Sequence, residues 1–111
     1  MVTIESRLTN LKTALTAISN VNVYHYWRPK MSAPFIVWAE EDGSGMWSQN
    51  HVGEIVINGS VDYYTRTEFD GNIDLIQSAL NGLENCGWNL ESVDYEDDTN
   101  LIHYSWSFSL G

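Results

Sequence analysis

The segment Glu54-Ile-Val-Ile-Asn-Gly-Ser-Val-Asp-Tyr-Tyr64, followed after a polar break by Phe69 to Leu83, decides the fold. Its first half alternates. Ile55, Ile57, Val61 and Tyr63 point one way and Asn58, Ser60 and Asp62 the other, which is the period of a strand with one buried face. The second half spaces Phe69, Ile73, Ile76, Leu80 and Leu83 by four, three, four and three residues, which makes an apolar stripe along a helix. Such a stripe must be covered, and the buried face of the sheet is the nearest cover. Gly59 interrupts the strand at its middle, a position that marks a bulge or a close backbone approach.

Before this unit, residues 2–19 place Ile4, Leu8, Leu11, Leu15 and Ile18 on one helical face, with Thr3 positioned to cap the first turn. Asn20 to Asn22 break that helix, and Val23-Tyr-His-Tyr-Trp27 reads as a short strand stopped by Arg28-Pro29. Pro34 opens Phe35-Ile-Val-Trp-Ala39, which is apolar on both faces and therefore central, or covered by a helix on one side and a neighbouring chain on the other. Glu40 to Asn50, with Asp42-Gly43-Ser44-Gly45, has the composition of a mobile connection. Met46 and Trp47 within it are large apolar side chains, either tucked beneath the loop or offered to a partner.

Beyond the second helix, Asn85-Cys86-Gly87 supplies a stop, with Gly87 suited to the left-handed position. Trp88 to Glu96 and Leu101 to Leu110 form two strands joined by Asp97-Asp98-Thr99-Asn100. In the last strand Ile102, Tyr104, Trp106, Phe108 and Leu110 face one way and His103, Ser105, Ser107 and Ser109 the other. The expected architecture is a single α+β domain over residues 1–111, an antiparallel or mixed β-sheet with two helices packed on one face. The opposite face would carry Asn58, Ser60, Asp62, His103, Ser105 and Ser107, small and polar enough to meet water or line a wet channel.

The totals set limits on function. With 43% hydrophobic residues, five Trp and six Tyr, the 111-residue chain can build one core. The net charge is −10, and every Lys and Arg lies in the first 66 residues, so residues 67–111 hold nine acids and no base. Tight nucleic-acid binding is excluded on that balance, because phosphate affinity is supplied by Lys and Arg. Cys86 is the only cysteine, which rules out an internal disulfide and a cysteine-built zinc site and suggests a reducing compartment. The N-terminus lacks the apolar run of a signal peptide, and no stretch approaches the length of a membrane span, so synthesis in the cytosol is expected.

Few patterns carry chemistry. Asp94, Glu96 and Asp98 alternate as in a calcium loop, but Thr99 stands where glycine is needed and Ser105 where a bidentate glutamate should close the cage. A solvated acidic surface over Asp94, Glu96, Asp97 and Asp98 is the better account. His25, His51 and His103 are scattered over separate strands, and no serine sits in a nucleophile elbow. Glu40 and Glu41 are adjacent in a strand and point to opposite faces. Nothing here argues for an enzyme, a cofactor or a metal.

The element order and the words that fill it resemble the tail terminator or tail completion proteins of long-tailed bacteriophages. The marks are the first amphipathic helix, Tyr26-Trp27-Arg28-Pro29 leading to Pro34-Phe35-Ile36-Val37-Trp38, and Val61-Asp62-Tyr63-Tyr64-Thr65 before the second helix. They continue through Leu83-Glu84-Asn85-Cys86-Gly87-Trp88 to a hairpin ending Tyr104-Ser105-Trp106-Ser107-Phe108. The resemblance implies a virion tail or neck protein that forms a homo-oligomeric ring, a hexamer, caps the tail tube and meets the head connector. Met46, Trp47 and Trp38 are the candidate interface side chains. The acidic excess would line a lumen through which DNA passes without tight binding. A related head-completion or neck protein, or a small-molecule-binding module with an aromatic pocket, are the alternatives.

Overall fold

The computed structural model of the chain describes residues 3–30, 33–45 and 55–111. Thr3 starts the first helix by a reciprocal pair of bonds: the Ser6 amide donates to Thr3 Oγ1 at 3.0 Å and the Thr3 amide to Ser6 Oγ at 2.9 Å. Helix α1 (Ile4–Thr16) follows, and beyond its end Asn20, at φ 63°, turns the chain into β1 (Asn22–His25). Tyr26 ends β1 at φ 73°, two residues before the Arg28-Pro29 stop that composition suggested. β2 (Phe35–Gly45), β3 (Ile55–Thr65), α2 (Asn72–Asn81), β4 (Cys86–Glu96) and β5 (Leu101–Leu110) complete the fold.

The strands form one sheet in the order β1-β2-β3-β5-β4, with β1 parallel to β2 and all other neighbours antiparallel. It is thus the mixed form of the expected α+β architecture. The alternation read from β3 and β5 sets its register: Val61 lies opposite Trp106, and Asp62 opposite Ser105. Leu11 and Leu15 from α1, Ile18 just beyond it, and Ile76 and Leu80 from α2 meet Ile36, Trp38, Ile57, Val61, Tyr63, Trp106, Phe108 and Leu110 in one buried cluster. Both helices therefore cover the same face. Deleting a side chain of the fully buried Leu11 or Leu15 size from such a cluster typically costs about 2–5 kcal/mol.

Several expectations give way. β2 does not end at Ala39; it continues through Asp42-Gly43-Ser44-Gly45, pairing Gly45 with Ile55, with one irregularity between Glu40 and Asp42. The turn-forming composition is overridden by ladder pairing with β3. Met46 and Trp47 lie outside the described residues. Phe69 is not on the α2 stripe, since the helix starts only at Asn72, and Phe69 is left at φ 55° and 97% exposed. The left-handed residue after α2 is Asn85, at φ 54°, while Gly87 is already in β4 opposite Ser109.

Asp70 sets the start of α2. Its Oδ2 accepts from Tyr63 Oη and Thr65 Oγ1, both at 2.7 Å, and its Oδ1 accepts from the Asn72 amide at 2.9 Å. One carboxylate thereby holds the end of β3 to the first turn of the helix. Burial disfavours its charge, but these bonds outweigh that and hold the Asp70 carboxyl below the usual carboxylate range.

Candidate interaction surface

The face of the sheet turned away from the helices has two parts. Toward the β2–β3 arm it is polar, as the sequence implies. Asn58 Nδ2 donates to Asp42 Oδ1 and Ser109 Oγ to Asn58 Oδ1, both at 2.7 Å, and Ser107 Oγ donates to Glu91 Oε2 at 2.8 Å. Asp62 Oδ1 lies 2.8 Å from His103 Nε2. These cross-strand bonds leave the hydroxyl face satisfied and rigid rather than reactive.

Toward the other end the face is apolar, as the two-faced apolar run Phe35 to Ala39 implies for β2 and the alternation of β3 and β5 does not. Phe35, Val37, Tyr64 and Leu101 are buried there, with Tyr24 and Ala33 against them. Neighbouring strands stack their rings: Phe35 on Tyr64 at 4.8 Å between centroids, and Tyr64 on His103 at 4.2 Å. The rings are packed on one another, and Phe35 and Leu101 also border an open cavity with Arg28, Lys30, Arg66 and Asp98. The connection from β1 to β2 crosses here. Arg28 lies over the Tyr64 ring at 4.4 Å, and its two terminal nitrogens bond Glu96 at 3.1 and 2.7 Å. That pairing raises the Arg28 guanidinium and holds the Glu96 carboxyl below its ordinary value.

The predicted site residues separate accordingly. Trp38 is 3% exposed, with its ring stacked on His25 at 3.8 Å, so it floors the α1 side of the sheet instead of presenting a surface. It falls there because its position in β2 has the parity of Ile36, toward the helices. Of the acidic set, Asp94, Asp97 and Asp98 are exposed, whereas Glu96 is held by Arg28 and by Thr99 Oγ1 at 2.9 Å. His25 and His103 each bond a carboxylate, Glu40 at 2.5 Å and Asp62 at 2.8 Å. Burial works against the Glu40 charge, yet bonds from His25, its own backbone and Tyr26 hold its carboxyl low.

Apart from Ile4, Phe69 and Leu75, the exposed large apolar residues among those described lie at the two edges of the sheet. Tyr26 and Trp27 follow β1, with Trp27 77% exposed, and Leu90, Val93 and Tyr95 lie along β4. The β4 stripe was legible as apolar positions, but its lack of cover was not.

No protein-family model and no curated protein matches the sequence. Among solved structures, the fold is similar to the sheath/tube terminator, in its extended state, of the extracellular contractile injection system PVC. The TM-score is 0.58 at 11% sequence identity, over 99% of this chain and 57% of that one. The chain thus spans a little over half the length of this neighbour. The likeness is one of fold, to a protein of the class that the sequence resembles.

Proposed function

We propose that the chain closes the end of a tail tube as a ring of six identical subunits and presents the far side of that ring to the head connector. The observation that supports this most is the likeness of essentially the whole chain to a sheath/tube terminator. The role is mechanical, not enzymatic. A rigid twisted sheet with one face sealed by two helices makes a stiff wedge, and its two unlike edges suit head-to-tail contacts around a ring.

Electron microscopy of the protein mixed with preformed tail tubes tests the reading. A cap of density at one tube end, with tube growth arrested, is expected; tubes that keep bare ends at saturating protein would remove it. Within the ring, the exposed turn acids Asp97 and Asp98 face the bore, where their charge repels DNA phosphate. Reversing both to lysine should leave capping intact and lower infectious titre by making DNA stick. An unchanged titre would show that this turn does not face the DNA path.

A further inference from the structure

We infer that the ring of Phe69 is an anchor that seats in the end of the tail tube, in an apolar socket with a basic rim. The inference rests on the capping reading for its partner and names the side chain that makes the contact. Its basis is a conformation that the fold does not need from this residue. Among the described residues, five other than glycine have positive φ: Asn20, Tyr26, Phe69, Asn85 and Asn100. Asparagine adopts that region readily, which accounts for three of them. Tyr26 has a ring contact within the chain, stacked on His25 at 3.9 Å between centroids. Phe69 has neither excuse. At φ 55° its Cβ crowds the following carbonyl oxygen, and its ring, 97% exposed, returns nothing to the core. Glycine or asparagine would hold the same turn with less strain. A residue that strains the backbone and packs on nothing serves a contact outside the fold.

The surrounding turn holds the ring in place. Before it, the Thr67 amide donates to Thr65 Oγ1 at 3.1 Å. After it, the Asp70 carboxylate joins Tyr63, Thr65 and the Asn72 amide, and the Asp70 carbonyl accepts from the Ile73 amide at 3.2 Å. The stretch Thr65-Arg-Thr-Glu-Phe-Asp-Gly-Asn72 is otherwise polar or glycine, so the ring is its single apolar projection. An aromatic side chain presented from a fixed backbone loses little freedom on binding, which is the condition for a contact that carries much of an interface's energy.

Charge gives the socket its chemistry. Glu68 precedes the ring and Asp74 stands in the first turn of α2, both exposed and neither in an ion pair among the described residues. Arg66, the nearest base in the sequence, donates instead to the Thr99 carbonyl at 3.4 Å. Basic groups around an apolar socket complement this arrangement. A second copy of the chain suits it poorly. The groove beside α1 is lined by Glu5 as well as Lys12. The cavity at Phe35 and Leu101 is lined by Arg66, three residues before Phe69, so copies exchanging anchors there would close a twofold pair and leave no ring. The tube end is the partner that the capping role requires.

The test compares the full wild-type chain with Phe69→Asn and Phe69→Trp on preformed tail tubes, scoring capped ends by electron microscopy against protein concentration. Phe69→Asn should need about tenfold more protein or above to cap, while its urea midpoint equals or exceeds that of the wild type. Phe69→Trp keeps a ring and should cap near the wild-type concentration. Glu68→Lys combined with Asp74→Lys should weaken capping as well. Capping by Phe69→Asn at the wild-type concentration would overturn the anchor alone, as would a clear fall in its urea midpoint, which would give the ring a role within the fold. Undiminished capping by the double reversal would overturn the basic rim. A sedimenting dimer that Phe69→Asn abolishes would make a second copy the occupant and overturn the tube-end contact. Tube ends left bare by saturating wild type would overturn the proposed function, and the tube as the anchor's partner with it.

Discussion

Replacing Gly59 with alanine is expected to disrupt the centre of the sheet and lower the unfolding midpoint by on the order of 10 °C or more. A Cβ at this position would overlap the Ala39 carbonyl oxygen and the Phe108 ring, whose Cε2 would lie at 2.8 Å, closer than real Cβ atoms come to a neighbour. Neither neighbour has room to yield. Phe108 is 2% exposed within the helix-side core, and the Ala39 carbonyl belongs to the β2 backbone just before the irregularity at Glu40 and Asp42. Overpacking a core typically costs about 1–3 kcal/mol and sometimes more, and a backbone obstacle places this site at the upper end. Against a total stability of about 5–15 kcal/mol, that is a large fraction. Urea unfolding of Gly59→Ala beside the wild type measures it, and equal midpoints would contradict the crowding described. Pairing the substitution with Phe108→Leu separates the obstacles, since recovery in the double variant would identify the ring and none would identify the carbonyl.

Gly59 also shows what a sequence discloses. Its interruption of an alternating strand indicates a special backbone position, but only the pairing with β2 identifies the close approach and puts the irregularity on the partner strand. The alternation of β5 and the stripes of α1 and α2 were legible because each is a local period of apolar side chains with one place to go. What escaped reading depends on contacts distant in sequence. The cluster around Phe35, Tyr64 and Leu101 became buried because the connection after β1 returns over that face and is tied by Arg28 to Glu96, 68 residues away. Likewise, the apolar residues of β4 look like core positions, and only the point where α2 stops leaves Leu90, Val93 and Tyr95 open. The charge asymmetry was plain in the sequence, but the pairing of Arg28 with Glu96 across the fold was not.

Substituting Asp70 by alanine should cost about 2–4 kcal/mol, because it removes one charged acceptor serving three donors, and bonds to charged groups contribute about 1.5–3 kcal/mol each but are not additive. Tyr63 is fully buried, and Asn72 Nδ2, at 3.0 Å, only donates to its hydroxyl, so the variant leaves the Tyr63 proton without this acceptor. Asp70→Asn should lose about half as much, since its amide oxygen still accepts while its NH2 group meets other donors. The pH dependence gives the argument its sign. The folded Asp70 carboxyl lies below its ordinary value, so its contribution is present above the unfolded value of about 4 and disappears as pH falls through the folded one. Tyr63 behaves oppositely. Burial, with the Asp70 carboxylate adding, pushes its hydroxyl up to about 12, so its contribution is full below about 10 and is lost as pH rises through about 12. The stability gap between wild type and Asp70→Asn should therefore be constant from about pH 5 to 9 and narrow below pH 4. Tyr63→Phe should blunt the alkaline loss instead. Urea unfolding across pH reads both limbs, and a gap that persists undiminished in strong acid would show that the charge of Asp70 is not what joins β3 to α2. The same junction fixes Phe69 in its left-handed, outward position, so a variant that loosens it should alter whatever that exposed ring meets while leaving the sheet edges as they are.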